Sequence, residues 1–173
     1  MTASVIVDYR DSLAAALVPC PERPNRKNAM NRPDFTIRRA TTGDADSVLN
    51  LVRQFAVSFT PSQERFSEAF AAALDRDDLF AAVAVDAPNV VGYVLANRHI
   101  TFFADGPVVW VEEVMVDPAS RKHGIGRALM DATEAWARAE GARYISLATR
   151  RASDFYRAIG YEDSAVFFRK LLD

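Results

Sequence analysis

The stretch Arg121-Lys122-His123-Gly124-Ile125-Gly126-Arg127 is where residue types and spacing point most directly to chemistry. It has four basic or imidazole side chains and two glycines, with no carboxylate in seven positions. An apolar run that reads as a strand precedes it, and an amphipathic run that reads as a helix follows. At such a junction the first helical N–H groups lack intrahelical acceptors and the helix dipole adds partial positive charge. Glycine then lets a ligand approach the main chain. The chemistry this suits is anion binding, by a phosphate or diphosphate above all. A basic helix start whose glycines serve only turn geometry is the plainer reading of the same residues.

Two nucleotide motifs fail against this loop. A Walker loop needs Gly-Lys followed by Ser or Thr, a tripeptide absent from the chain. A dinucleotide fingerprint needs a third small residue where Leu129 stands. What remains is a diphosphate-bearing ligand of another kind.

The elements around the loop follow from periodicity. Phe35-Thr36-Ile37-Arg38 alternates as a strand, and Thr42-Gly43-Asp44 opens a helix with Val48, Leu51, Val52 and Phe55 on one face. Ser62 caps a second helix carrying Phe66, Phe70, Ala73 and Leu74, which ends at the charged cluster Asp75 to Asp78. Leu79 to Val85 and Val90 to Thr101 form an antiparallel hairpin around Asp86-Ala87-Pro88-Asn89, and Val108 to Val116 is a third strand after Asp105-Gly106. The loop leads into a helix with Ile125, Leu129, Ala132 and Trp136 on one face and Gly141 as its stop. Tyr144 to Ala148 is then a strand reached through a helix, which implies parallel pairing at this one place. A last helix runs from Ala152 to Ile159, and Tyr161 to Leu171 reads as a closing strand.

Glu112-Glu113-Val114-Met115-Val116-Asp117-Pro118 followed by Arg121-x-x-Gly124-x-Gly126 resembles the acetyl-coenzyme A signature of the GCN5-related N-acetyltransferases (GNAT). Ala152-x-x-Phe155-Tyr156-x-x-Ile159-Gly160-Tyr161 is similar to that family's C-terminal motif, and the resemblance covers about four fifths of the chain. It implies an α/β fold: a mixed, mostly antiparallel sheet with helices on both faces and a wedge between two parallel strands for acetyl-CoA. It also implies a bulge in the third hairpin strand. Val114, Met115 and Val116 would then offer main-chain groups to the pantetheine arm, while the amides of Lys122, His123, Gly124, Ile125, Gly126 and Arg127, with Arg121 beside them, would hold the diphosphate. Where many members have asparagine on the coenzyme this chain has Thr149, with Arg150 and Ser153 close by.

Acetyl transfer to an amine requires a neutral amine, a donor for the oxyanion and a proton for the departing thiolate. The resemblance places Glu112 as general base, Tyr156 as general acid and the Val116 N–H as oxyanion donor. Glu113 stays open as the alternative base, because a bulge blurs the alternation of side chains along a strand. The plainer readings are an exposed strand glutamate for Glu112 and a packed helix aromatic for Tyr156. The implied reaction is direct transfer from acetyl-CoA to a primary amine of a small molecule, amino acid or peptide. A non-catalytic acyl-CoA-binding sensor or interaction module is the competing reading. Acceptor walls are expected from the first two helices, about Phe55 to Phe70, from the strand after Val108 and from the loop ahead of the closing strand.

Composition narrows the rest. With 21 Lys and Arg against 23 Asp and Glu the net charge is −2, which argues against a nucleic-acid partner. Cys20 alone cannot make an internal disulfide, and it lies far from the motifs, which favours direct attack over an acetylated thiol. His99 and His123 have no second ligand at metal spacing, so no metal is expected. Four prolines and three asparagines between Pro19 and Pro33 make residues 1–33 an extension, leaving 34–173 as the domain. No membrane span is read, and the expected location is the cytoplasm. Phe102, Phe103, Trp110 and Phe167-Phe168 read as sheet faces or as a contact in a homodimer, and second as acceptor-pocket walls.

Overall fold

The computed structural model describes residues 35–55, 59–170 and 172. The extension expected over 1–33, with Cys20, lies outside them. The elements are β1 (Phe35–Arg39), α1 (Ala45–Phe55), α2 (Gln63–Leu74), β2 (Leu79–Asp86), β3 (Asn89–Thr101), β4 (Gly106–Val116), α3 (Ile125–Ala139), β5 (Ile145–Leu147) and α4 (Ser153–Ala158). The strands form one sheet in the order β1-β2-β3-β4-β5, antiparallel up to β4 and parallel between β4 and β5. The mixed sheet with a single parallel pair is as expected.

Both faces of the sheet are covered, and the sequence shows why. In β2 the alternate residues Phe80, Ala82 and Ala84 pack with Ile125, Leu129, Met130 and Trp136 of α3, whereas Val83 packs with Val48 and Leu51 of α1 on the opposite face. Phe66 and Phe70 of α2 stack at 5.5 Å and join the α1 side. Phe80 and Trp136 stack at 5.2 Å across the α3 side. Gly92 permits the close seating of α3. A Cβ there would lie 2.8 Å from the Met115 carbonyl and 3.4 Å from Ile125 and Leu129.

The junction between β1 and α1 is held electrostatically. Arg38 donates twice to buried Asp44, each time at 2.7 Å, and the same carboxylate accepts from the Thr41 N–H at 2.8 Å. Ser62 caps α2 by accepting from the Arg65 N–H at 3.4 Å, as its position predicts.

Two strand expectations are corrected. The strand expected over Tyr144 to Ala148 shortens to Ile145–Leu147. The closing strand expected over Tyr161 to Leu171 is absent from its described part, 161–170. A strand needs a partner edge and a face to bury, and Ala165-Val166-Phe167-Phe168 is a continuous apolar run without the alternation that would distinguish one face. Val166, Phe167 and Phe168 remain exposed, and Phe167 lies against Trp110 with ring centroids 6.2 Å apart.

Candidate active site

β5 pairs with β4 only through Val109–Ile145, Trp110–Ser146 and Val111–Leu147. β4 continues to Val116 with no strand on that side among the described residues, so the two parallel strands part after Val111. The Asp117 N–H bonds the Val91 carbonyl at 2.9 Å, which sets the phase of the antiparallel ladder with β3. By its alternation Val116 and Val114 turn their N–H and C=O groups away from β3, into the opening. The Val116 carbonyl there accepts from Arg121 Nε at 3.0 Å. Met115 differs from its two neighbours. Its main chain faces β3, and its side chain is buried on the α1 side.

The basic loop closes one end of this opening. Lys122 (φ 66°) and Gly124 (φ 86°) are both left-handed, a conformation that only glycine takes without strain, and they turn the chain abruptly into α3. His123 Nδ1 lies 3.2 Å from the Ser120 carbonyl. The first α3 bond runs from the Ala128 N–H to the Gly124 carbonyl at 3.0 Å, which leaves the amides of Ile125, Gly126 and Arg127 without intrahelical acceptors. No acidic residue stands in the first turn of α3. The chemistry of this donor set suits an anion.

Helix α4 meets the same point. A Cβ on Gly126 would lie 3.3 Å from the Phe155 ring and 3.8 Å from the Val116 side chain, so the start of α3, the end of β4 and α4 converge there. Tyr156 follows, packed edge-on against Phe155 at 5.0 Å and Tyr161 at 5.9 Å. Burial pushes its phenol above the ordinary value, so it carries its proton at neutral pH. Thr149 accepts from the Ala152 N–H at 3.1 Å at the turn before α4, and its O–H remains able to donate.

The expected bulge is in β4. Leu95 opposes Glu113 and Ala96 opposes Val111, so Glu112 is the extra residue. Both carboxylates therefore share the face away from α3. Asn97 Nδ2 donates to Glu112 Oε1 at 2.6 Å, and the Tyr93 hydroxyl donates to Glu113 Oε2 at 2.6 Å, from two positions of one face of β3. Tyr93 is buried, and that burial, followed by the Glu113 charge, raises its phenol far above the usual range.

Exposed Glu112 lies on the wall of an open groove of about 440 Å3 with Trp110, Asn97, His99, Arg98, Arg76, Asp78 and Leu79. Arg76 is engaged with Asp78 at 2.6 Å and 2.8 Å, and Arg98 with Glu140 at 3.3 Å. Of the expected acceptor walls, the strand after Val108 lines this groove through Trp110 and Glu112. The groove beside Glu112 is lined by the turn after α2 and by β3 and β4, and a separate hollow of about 510 Å3 lies beside Phe59, Ser62 and Phe66. Sequence reading missed Asn97 and Tyr93 as members of the site, and it names Phe155 only within the C-terminal motif. The first two face their carboxylates only through non-local register.

Residues 46–161 match the acetyltransferase (GNAT) family. The chain is 30% identical to aminoglycoside N(6')-acetyltransferase type 1 of Stenotrophomonas maltophilia, over 80% of this chain and 94% of that protein. It is 31% identical to aminoalkylphosphonate N-acetyltransferase of Salmonella typhimurium, over 81% of this chain and 93% of that protein. Among solved structures, glucosamine-6-phosphate N-acetyltransferase from Arabidopsis thaliana superposes with a TM-score of 0.73 at 19% identity, covering 80% of this chain and 99% of that one.

Proposed function

The chain belongs to the acetyltransferase (GNAT) family and is an acetyl-transferring enzyme, and on that premise we propose that it moves an acetyl group from acetyl-CoA to a primary amine by direct attack. The observation that carries this reading is the parting of β4 and β5 after Val111, with the Val114 and Val116 main chain aimed into the gap and the free amides of α3 at its end. A pantetheine arm adds to β4 as a short strand would, and the diphosphate rests on the amides of 122–127.

In the proposed reaction Glu112 takes a proton from the ammonium, and the freed nitrogen lone pair forms the C–N bond at the thioester carbon. The Val116 N–H stabilises the developing oxyanion. As the C–S bond breaks, Tyr156 gives its phenolic proton to the coenzyme A thiolate, the nitrogen now bonded to carbon returns its surplus proton to the phenolate through solvent, and Glu112 passes the first proton to bulk water. Direct attack is supported by the cysteine content, because Cys20 is the single cysteine and stands outside both motifs. The acceptor is proposed to be a small-molecule amine. That proposal is supported by the aminoglycoside and aminoalkylphosphonate relatives.

The test is thiol release from acetyl-CoA in the presence of an aminoglycoside, an aminoalkylphosphonate, glucosamine 6-phosphate and the common amino acids, with the acetylated product identified by mass. Release dependent on one amine class supports the reading. Tight coenzyme binding with no release from any amine would favour an acyl-CoA sensor instead.

A further inference from the structure

A bulged residue on an exposed slope has little to fix its side chain, because the extra residue is the one that cross-strand packing does not pin. Glu112 is in that position and still has one short contact, the 2.6 Å hydrogen bond from Asn97 Nδ2 to Oε1. Asn97 opposes Trp110 in the register, so its amide reaches diagonally along the face to Glu112. A carboxylate only accepts, so the amide nitrogen must be the atom that faces it, and the amide oxygen faces away. That oxygen lies 3.2 Å from His99 Nδ1, which must then carry hydrogen. The donors therefore run in one direction, from His99 to Asn97 to Glu112, and each bond polarises the next.

Both arginines of the groove are engaged elsewhere, Arg76 with Asp78 and Arg98 with Glu140, so Glu112 is held by a neutral group and its charge stays available to an incoming ammonium. Glu113 is anchored differently. Its donor is the hydroxyl of Tyr93, a residue only 4% exposed in the core beneath α1, which ties the carboxylate toward the interior.

We propose that Asn97, oriented by His99, is the positioning residue that makes Glu112 and not Glu113 the general base. It fixes Oε1 and leaves Oε2 toward the groove. An amide side chain passes no proton, so Asn97 acts through geometry alone. This rests on the acetyl-transfer reading above and adds to it a residue outside both sequence motifs.

The experiment is a double-mutant cycle with the full chain, using acetyl-CoA and the fastest amine of the panel above, alongside crystal structures of the free wild type and Asn97→Ala. Asn97→Ala is expected to lower kcat by roughly 10-fold, within the cost of misplacing a catalytic group, with the KM for acetyl-CoA and the melting temperature unchanged. On a Glu112→Gln background the same change should cost nothing further, because the group it positions is gone. His99→Ala should give a smaller loss than Asn97→Ala. In the Asn97→Ala crystal the Glu112 carboxylate should leave its wild-type place. Multiplying losses in the double variant, full activity in Asn97→Ala, or a Glu112 side chain that stays put would overturn the proposal. Full activity in Glu112→Gln would instead overturn the base assignment on which it stands.

Discussion

Glu112 and Glu113 are neighbours in the chain and stand on the same face of β4, each hydrogen-bonded at 2.6 Å to a different residue of β3. In a regular strand they would point to opposite faces. The bulge that makes Glu112 the unpaired residue removes that distinction and leaves their partners to separate them. Glu112 bonds an amide in an open groove, and Glu113 bonds a buried phenol. Glu112→Gln should therefore reduce kcat by roughly 100-fold, the low end of general-base contributions, while Glu113→Gln, which can still accept from Tyr93, should stay within a few-fold of wild type. Steady-state kinetics on both variants checks this, and a larger loss at Glu113 would reverse the assignment.

Tyr156→Phe keeps the edge-on packing against Phe155 and Tyr161 and removes only the hydroxyl. An ordinary phenol is protonated at neutral pH and burial moves this one further in that direction, so the loss is expected in the step that delivers the proton. At neutral pH kcat should fall by roughly 10- to 100-fold, as for a general acid, with the KM for acetyl-CoA nearly unchanged. Equal kcat in the variant would assign the acid to another group or to solvent.

Gly126 tests the loop with stability and binding read separately. Aspartate at the start of α3 is compatible with the helix dipole, so the free Gly126→Asp protein should melt close to wild type once Phe155 shifts by a few tenths of an ångström to admit the new Cβ. Its carboxylate would repel a diphosphate at the same amides. Acetyl-CoA should raise the melting temperature of wild type and leave the variant unmoved. A normal ligand-induced shift in Gly126→Asp would remove the loop from the coenzyme site.

Asp44 gives a pH dependence with a defined sign. The Arg38 guanidinium above all, helped by the Thr41 N–H, lowers its carboxyl from 3.8 to about 2. A folded-state value below the unfolded one stabilises the protein above about pH 4, and that contribution is lost as pH falls from about 4 through about 2. Asp44→Asn should cost on the order of 2 kcal/mol at neutral pH, allowing for the partly exposed arginine. Urea denaturation at pH 7 and pH 2.5 checks it, the difference between wild type and variant shrinking at the lower pH.

Much of the fold is legible in the sequence, and the parts that are not share a cause. β1 with α1, the hairpin of β2 and β3, and the α3 start at Gly124-Ile125 are set by periodicity and by local turn and cap chemistry, which operate over a few residues. The shared face of Glu112 and Glu113 depends on register with β3. Neither Asn97 nor Tyr93 lies within ten residues of its carboxylate partner. The resemblance carried a bulge into the strand without fixing its position, and the opposing pairs Leu95–Glu113 and Ala96–Val111 locate it at Glu112. The closing strand expected over Tyr161 to Leu171 is absent from its described residues, 161–170, for the converse reason: β-favouring residues are present at Val166, Phe167 and Phe168, but the edge they would need is a three-residue strand.

The decisive measurement is a crystal structure with acetyl-CoA bound. The diphosphate oxygens are expected within hydrogen-bonding distance of the amides between Lys122 and Arg127, the pantetheine arm alongside Val114 and Val116 in the gap after Val111, and the thioester between Glu112 and Tyr156. A coenzyme bound elsewhere on the chain, with β4 and β5 closed along their length, would contradict this arrangement.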